Sequence, residues 1–235
     1  NLADNKMNIL NIESNGELVY LNVSQNNLER LNLEGNPKLD RLVAFSNLIN
    51  VIDLRNNTLL RSIRVSDNRL SQLDLTQNTI LEELYFDTNL FSGAGPDLTQ
   101  NTELFNVDAS FNKINFLDIS NNLKLTYFNI SFNQFSGNNI VEQIFQNYQS
   151  TNRFLGNETY ILNDNLLSEK LPDFTTLVNG STQDFSISFH NNNLHFGDFE
   201  AHHQQYITFR NTPRGGGAIF KKYWYANQNK VNAPE

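Results

Sequence analysis

The sequence predicts a single mostly-β solenoid, a coil of short strands stacked in parallel. Three observations predict it. Asparagines recur at a fixed spacing of 21 residues, each follows a short apolar–polar alternation, and each 21-residue unit divides into two unequal halves.

The asparagines fall into two interleaved sets. Asn26, Asn47, Asn68, Asn89, Asn112 and Asn133 step by 21, 21, 21, 23 and 21 residues; Asn15, Asn36, Asn57, Asn78, Asn101 and Asn122 take the same steps. Both slip by two at Ser92 to Pro96 (SGAGP), which reads as an insertion between strands. After the first set an apolar residue usually comes two places later, as at Leu28 and Leu70; after the second it comes three places later, as at Leu39 and Leu60. A unit of about 20 to 29 residues can turn a full coil around a core, whereas half of it cannot.

Each half opens with a short strand. Side chains alternate along a strand, so Leu21 and Val23, Ile63 and Val65, Leu84 and Phe86 point inward while the residues between them point outward. Stacking the coils pairs these strands in parallel and buries a ladder of apolar residues. The asparagine amide offers both donors and an acceptor. It can serve backbone groups left unpaired at the turn, where a buried orphan costs about 1–3 kcal/mol.

The segments LVYLNVSQNNLERLNLEGN, LLRSIRVSDNRLSQLDLTQN and LFNVDASFNKINFLDISNN resemble the leucine-rich-repeat superfamily. Within it they are similar to the bacterial nested class, whose unit reads LxxLxLxxNxLxxLxLxxNxx. The resemblance covers about Leu10 to Asn133. It implies a leucine-rich-repeat solenoid of the α/β class, mostly β. The expected architecture is a right-handed coil with a parallel concave β-sheet, short strands or turns on the convex side, and an irregular capped C-terminal third. It also implies an exported bacterial protein, extracellular or on the cell surface. Animal and plant relatives usually carry disulfide caps; this chain has no cysteine. Starting at Asn1 without a signal peptide, it reads as a mature or trimmed chain.

One domain, residues 1–235, is expected: regular repeats over 1–133, longer irregular repeats with a short helix over 134–193, and a cap over 194–235. The helix is predicted in NNIVEQIFQNYQS, where Ile140, Val141, Ile144, Phe145 and Tyr148 share one face. The strand pattern returns in TYILNDN and FSISFHNN. Between them LPDFTTLVNG should hold a short helix or turn. Cap elements are expected in HFGDFEAHHQQY and FKKYWYANQNKV.

Composition narrows the function. The chain has 40 Asn in 235 residues and a formal net charge of -8. That charge disfavours nucleic acid and anionic membranes, with one local exception in the basic cluster Arg210, Arg214, Lys221, Lys222 and Lys230. No run of 18 apolar residues exists to span a membrane. Without cysteine there is no thiolate metal site or thiol nucleophile. No GxSxG, phosphate loop or dinucleotide fingerprint occurs in its required context. The reading is a non-enzymatic, monomeric recognition or adhesion module without cofactor. Its expected partner is a protein, with a polysaccharide of a nutrient-capture system as the alternative.

The outward residues of the first-set strands form the candidate face. The central column reads Asn22, Val43, Arg64, Tyr85, Asp108, Asn129, Ile161, Ser188; the next reads Ser24, Phe45, Ser66, Asp87, Ser110, Ser131, Asn163, His190. A third reads Gln25, Ser46, Asp67, Thr88, Phe111, Phe132, Asp164, Asn191. Exposed aromatics mixed with Arg and Asp supply contact area and directed hydrogen bonds. The expected ligand-binding residues are Phe45, Arg64, Tyr85, Asp87, Asp108, Phe111, Tyr127, Asn129 and Phe132.

Competing chemistries are weaker. The column Asp53, Asp74, Asp97 and Asp118 could bind calcium, but such residues also bond local hydroxyls and amides. His195, Asp198 and His202 would share a helix face and could hold a divalent metal. The carboxylates of Asp87 and Asp108 could flank a glycosidic bond. Sequons stand at Asn22, Asn56, Asn129, Asn157 and Asn179; glycans at Asn22 and Asn129 would cover the face, which favours a host that adds none.

Overall fold

The structure, a computed structural model, describes residues 1–137, 139–151, 158–167 and 185–188. In chain order the strands are β1 Tyr20–Asn22, β2 Arg30–Leu31, β3 Arg41–Val43, β4 Val51–Ile52, β5 Ser62–Arg64, β6 Glu83–Tyr85, β7 Ser92–Ala94, β8 Asn106–Asp108, β9 Lys113–Phe116 and β10 Tyr127–Asn129. Helix α1 Asn139–Thr151 follows, then β11 Glu158–Ile161 and β12 Phe185–Ser188.

One eight-stranded sheet runs β1-β3-β5-β6-β8-β10-β11-β12, and every pair in it is parallel. On the other side of the coil lie two small parallel pairs, β2 with β4 and β7 with β9. The repeat period sets the register: Leu21 opposes Leu42, Leu42 opposes Ile63, Ile63 opposes Leu84, and Leu84 opposes Val107. The 23-residue step at Ser92 to Pro96 leaves this register intact. The inserted residues form a strand of their own: Ser92–Ala94 is β7, and opposite its Gly93–Ala94 step β9 carries one extra residue, Asn115. Gly93 takes a positive φ of 71°, the conformation glycine adopts without strain.

Leucine, isoleucine, valine and phenylalanine from every coil fill one continuous core, including the fully buried Leu28, Leu42, Ile63, Phe86 and Phe128. Each such side chain contributes about 1.5–3 kcal/mol on burial. Phe86 and Phe91 pack edge to face with centroids 5.1 Å apart.

The two asparagine ladders differ in their bonding. In the first, Asn68 Nδ2 donates to the carbonyls of Ala44, Val65 and Ser66 at 2.9, 3.1 and 3.1 Å, and its Oδ1 accepts the Ile49 N–H at 3.0 Å. Asn47, Asn89 and Asn133 repeat this pattern. In the second, Asn57 Nδ2 donates to Leu33 and Asn36 carbonyls at 3.0 and 2.9 Å. Its Oδ1 has no partner, and the same holds for Asn36, Asn78, Asn101 and Asn122.

Helix α1 forms where the sequence predicts it and replaces a turn of the second ladder. Ile140, Val141 and Ile144 enter the core. Gln143 Oε1 accepts the Ile119 N–H at 2.7 Å, and its Nε2 donates to the Leu117 carbonyl at 3.4 Å. The helix thereby supplies an amide where the next ladder asparagine would stand. Strand expectations in TYILNDN and FSISFHNN correspond to β11 and β12. The expected turn in LPDFTTLVNG, the cap segments, the histidine metal cluster and the C-terminal basic run lie outside the described residues.

Candidate recognition face

The parallel register turns spacing into columns. Asn22, Val43, Arg64, Tyr85, Asp108, Asn129 and Ile161 are successive cross-strand partners, as the sequence predicts. Tyr20, Arg41, Ser62, Glu83, Asn106, Tyr127 and Thr159 form the column beside them. Tyr127 therefore belongs to a full outward column of the sheet.

Two preorganised clusters occupy the middle of this face. The Arg64 guanidinium lies 4.6 Å from the centroid of the Tyr85 ring and 3.5 Å from Glu83 Oε2. Such a cation over a tyrosine ring contributes about 0.5–1 kcal/mol at an exposed site. Glu83 Oε2 also accepts the Ser62 hydroxyl at 2.9 Å. One coil on, Asp108 Oδ1 accepts the Ser110 N–H at 3.0 Å and hydroxyl at 2.6 Å. Its Oδ2 accepts Tyr127 OH at 3.2 Å and Asn129 Nδ2 at 3.1 Å. Asp87 accepts the Ser66 hydroxyl across the coil boundary.

The electrostatics follow from partial burial. Burial pushes the Asp87 carboxyl above its ordinary range, and the Asp108 charge adds to this, while Ser66 donation opposes it. Burial, then the Asp108 charge, pushes the Tyr127 hydroxyl up to about 12. Burial and Glu83 raise Tyr85, with Arg64 opposing.

The third column holds a feature the sequence did not reveal. Gln25, Ser46, Asp67, Thr88, Phe111, Phe132 and Asp164 all have φ between 52 and 56°. Each stands just before an asparagine bonded as in the first ladder, Asn165 included, and from Gln25 to Phe132 its N–H continues the parallel ladder, as in Phe111 N–H to the Ser131 carbonyl at 3.0 Å. Left-handed backbone is uncommon for any residue but glycine and is an outlier for a bulky one. Phe111 and Phe132 nevertheless occupy it, with rings stacked at 4.2 Å and 13° and exposures of 52% and 45%.

The second column departs from expectation in part. Ser24, Ser110 and Ser131 are buried. Their hydroxyls donate to Asn22, Asp108 and Asn129 two residues earlier, so they position the central column. The repeated Asn/Asp-x-Ser pattern in the sequence carries that signal. Phe45 and Asp87 of the same column remain half-buried.

On the opposite side Asp53, Asp74, Asp97 and Asp118 each accept the N–H two residues on, at 2.9 to 3.1 Å. Thr76 and Thr99 add their hydroxyls. Hydrogen bonds from Arg55 hold Asp53 at about 2. These carboxylates cap local turns, the alternative to the calcium reading.

A parallel sheet of one strand per 21-residue coil, an apolar ladder and two asparagine rows define a leucine-rich-repeat solenoid. Among solved structures, the chain is similar to the functional domain of InlJ from Listeria monocytogenes, which includes a cysteine ladder, with 22% identity and a TM-score of 0.56 over 80% of this chain and 43% of that one. It is similar to the internalin InlF of the same organism at 21% and 0.61, covering 75% and 49%. The plant peptide hormone receptor RGFR1, in complex with RGF2, gives 26% and 0.64, covering 78% and 30%. The chain spans less than half the length of each. The sequence matches no family model and no curated protein sequence.

Proposed function

We propose that this chain is a non-enzymatic recognition module of an exported bacterial protein, acting as a monomer. It binds a protein partner through the outward face of the eight-stranded sheet. The observation that carries this reading is the set of preorganised side chains on β5, β6, β8 and β10. Arg64 is held on Tyr85, Asp108 is oriented by Tyr127 and Asn129, and Phe111 and Phe132 stack in solvent. Side chains fixed before contact lose little entropy on binding, and aromatic and arginine anchors dominate protein interfaces. The structural neighbours support a binding role, since one of them is a receptor in complex with its peptide hormone. Each phenylalanine also covers one ring face of the other, which leaves less open aromatic surface for a sugar than two separate rings would.

The test is the double variant Arg64→Ala with Tyr85→Ala, assayed against partners captured and identified from the native environment. Binding should be abolished while the melting temperature stays nearly unchanged, because both side chains lie outside the core. Retained binding would move the interface elsewhere.

A further inference from the structure

We propose that the occupant of the sheet face is an extended, basic segment of a protein partner, with one lysine or arginine side chain seated against Asp108 and Asp87. This rests on the reading of the face as a protein-recognition surface.

Charge complementarity selects this occupant. The outward positions of β5, β6, β8 and β10, with the two columns that follow each strand, carry the carboxylates of Asp67, Glu83, Asp87 and Asp108 against the single guanidinium of Arg64. The corresponding positions of β1 and β3 carry no carboxylate and one cation, Arg41. Negative charge is thus concentrated in the middle of the sheet.

Elsewhere the chain answers many of its carboxylates from the next coil. Lys38 bonds Glu17 at 2.7 Å, Lys124 pairs with Glu103, and Arg61 bridges Asp40 and Glu82 at 3.5 and 3.6 Å. Asp53 has Arg55. Asp87, just past the end of β6, and Asp108, at the end of neighbouring β8, are half-buried and have only neutral partners among the described residues. Arg64 is already committed to Tyr85 and Glu83. Asp87, partly buried beside the Asp108 carboxylate and without a counterion, has its charged form disfavoured; a cation arriving in trans relieves this.

The surroundings suit a cationic side chain. Tyr85 is the cross-strand partner of Asp108 on β6, and Tyr127 of β10, one column over, reaches Asp108 with its hydroxyl; their rings can cover the methylenes of a lysine or arginine. The exposed Phe111–Phe132 stack, one column from Asp87 and two from Asp108, takes an apolar neighbour in the same segment. Four strands at about 4.8 Å spacing span about 14 Å, the reach of four to five extended residues.

The experiment selects a display library of random twelve-residue peptides on the full chain and measures the affinity of the enriched peptides. Enriched peptides should contain a lysine or arginine beside an apolar residue. Asp87→Asn with Asp108→Asn should weaken them about thirtyfold or more. A charge-matched control on the other side, Asp74→Asn with Asp97→Asn, should leave affinity within about twofold, and rising salt should weaken binding. Asparagine keeps the local turn bonds, since Asn129 makes the Oδ1 pattern of Asp108 with Ser131 and Asn32 makes the Asp74 pattern with Glu34, but at Asp108 it gives up the Oδ2 acceptor of Asn129 Nδ2. A melting curve of each variant confirms folding. Enrichment of neutral or acidic peptides, an empty selection, or equal loss in the control overturns the proposal. Neutral or acidic binders that Arg64→Ala with Tyr85→Ala abolishes would overturn the basic occupant and leave the recognition face standing. Binders indifferent to both pairs of substitutions would remove both.

Discussion

Asn68→Ala and Asn57→Ala delete the same amide from the two ladders, and the structure gives them different consequences. In Asn68→Ala, three carbonyls lose a donor, yet each keeps another. Ala44 retains Asn47 Nδ2, Val65 retains Asn89 Nδ2, and Ser66 retains the Ser46 N–H. The Ile49 N–H keeps nothing, because Asn68 Oδ1 is the partner shown for it. One buried orphan donor, about 1–3 kcal/mol, adds to the weakened carbonyls for a total of about 2–4 kcal/mol, apart from the small void that both substitutions leave. In Asn57→Ala, Leu33 and Asn36 carbonyls keep the backbone N–H groups of Asn36 and Leu39. The substitution also removes an Oδ1 that is itself buried without a partner. Losing two shared bonds, about 0.5–1.5 kcal/mol each, is offset by losing that orphan, and the net cost is about 1 kcal/mol or less. Urea unfolding followed by far-ultraviolet circular dichroism, with the slope checked for constancy between variants, reads the difference directly. Equal destabilisation by the two substitutions, or a larger loss at Asn57, would refute this accounting.

Other outcomes follow from the ionisable groups on the face. Tyr127 should titrate near 12 in a spectrophotometric alkaline titration that compares the protein with Tyr127→Phe. Because its folded pKa lies above its unfolded value, its contribution to stability is complete below about pH 10 and is lost as pH rises towards 12. Asp87 has the same sign in the carboxylate range: its stabilising balance exists at low pH and is lost as pH rises through its raised folded pKa. Asp87→Asn, which can still accept the Ser66 hydroxyl, should therefore raise the melting temperature at pH 7, with the gain shrinking as pH falls through the raised folded pKa and gone below about 4. A lowered melting temperature at pH 7 would show that Ser66 donation outweighs burial.

The period made most of the fold legible. Once asparagines recur every 21 residues, the register of Tyr85 on Asp108 and Arg64 on Tyr85 follows by subtraction, and the columns of the face with it. The two-residue slip at Ser92 was visible, but its conversion to β7 was not, because a short Gly-containing segment carries no strand signal of its own. Burial of Ser24, Ser110 and Ser131 depended on hydrogen bonds to residues two places earlier, a local preference that strand alternation ignores. The unequal ladders were illegible for another reason. Both sets show the same residue, and only the carbonyls and N–H groups facing each amide distinguish them. Gln143 escaped notice because its role depends on where α1 packs, not on its own neighbours in sequence.

The repeated left-handed turn before each first-ladder asparagine separates backbone shape from side-chain identity. Glutamine, serine, aspartate, threonine and phenylalanine all adopt it within a few degrees, so the coil dictates the conformation whatever residue sits there. A lineage can therefore exchange residues along this rim, changing what the molecule presents, without renegotiating the stack beneath.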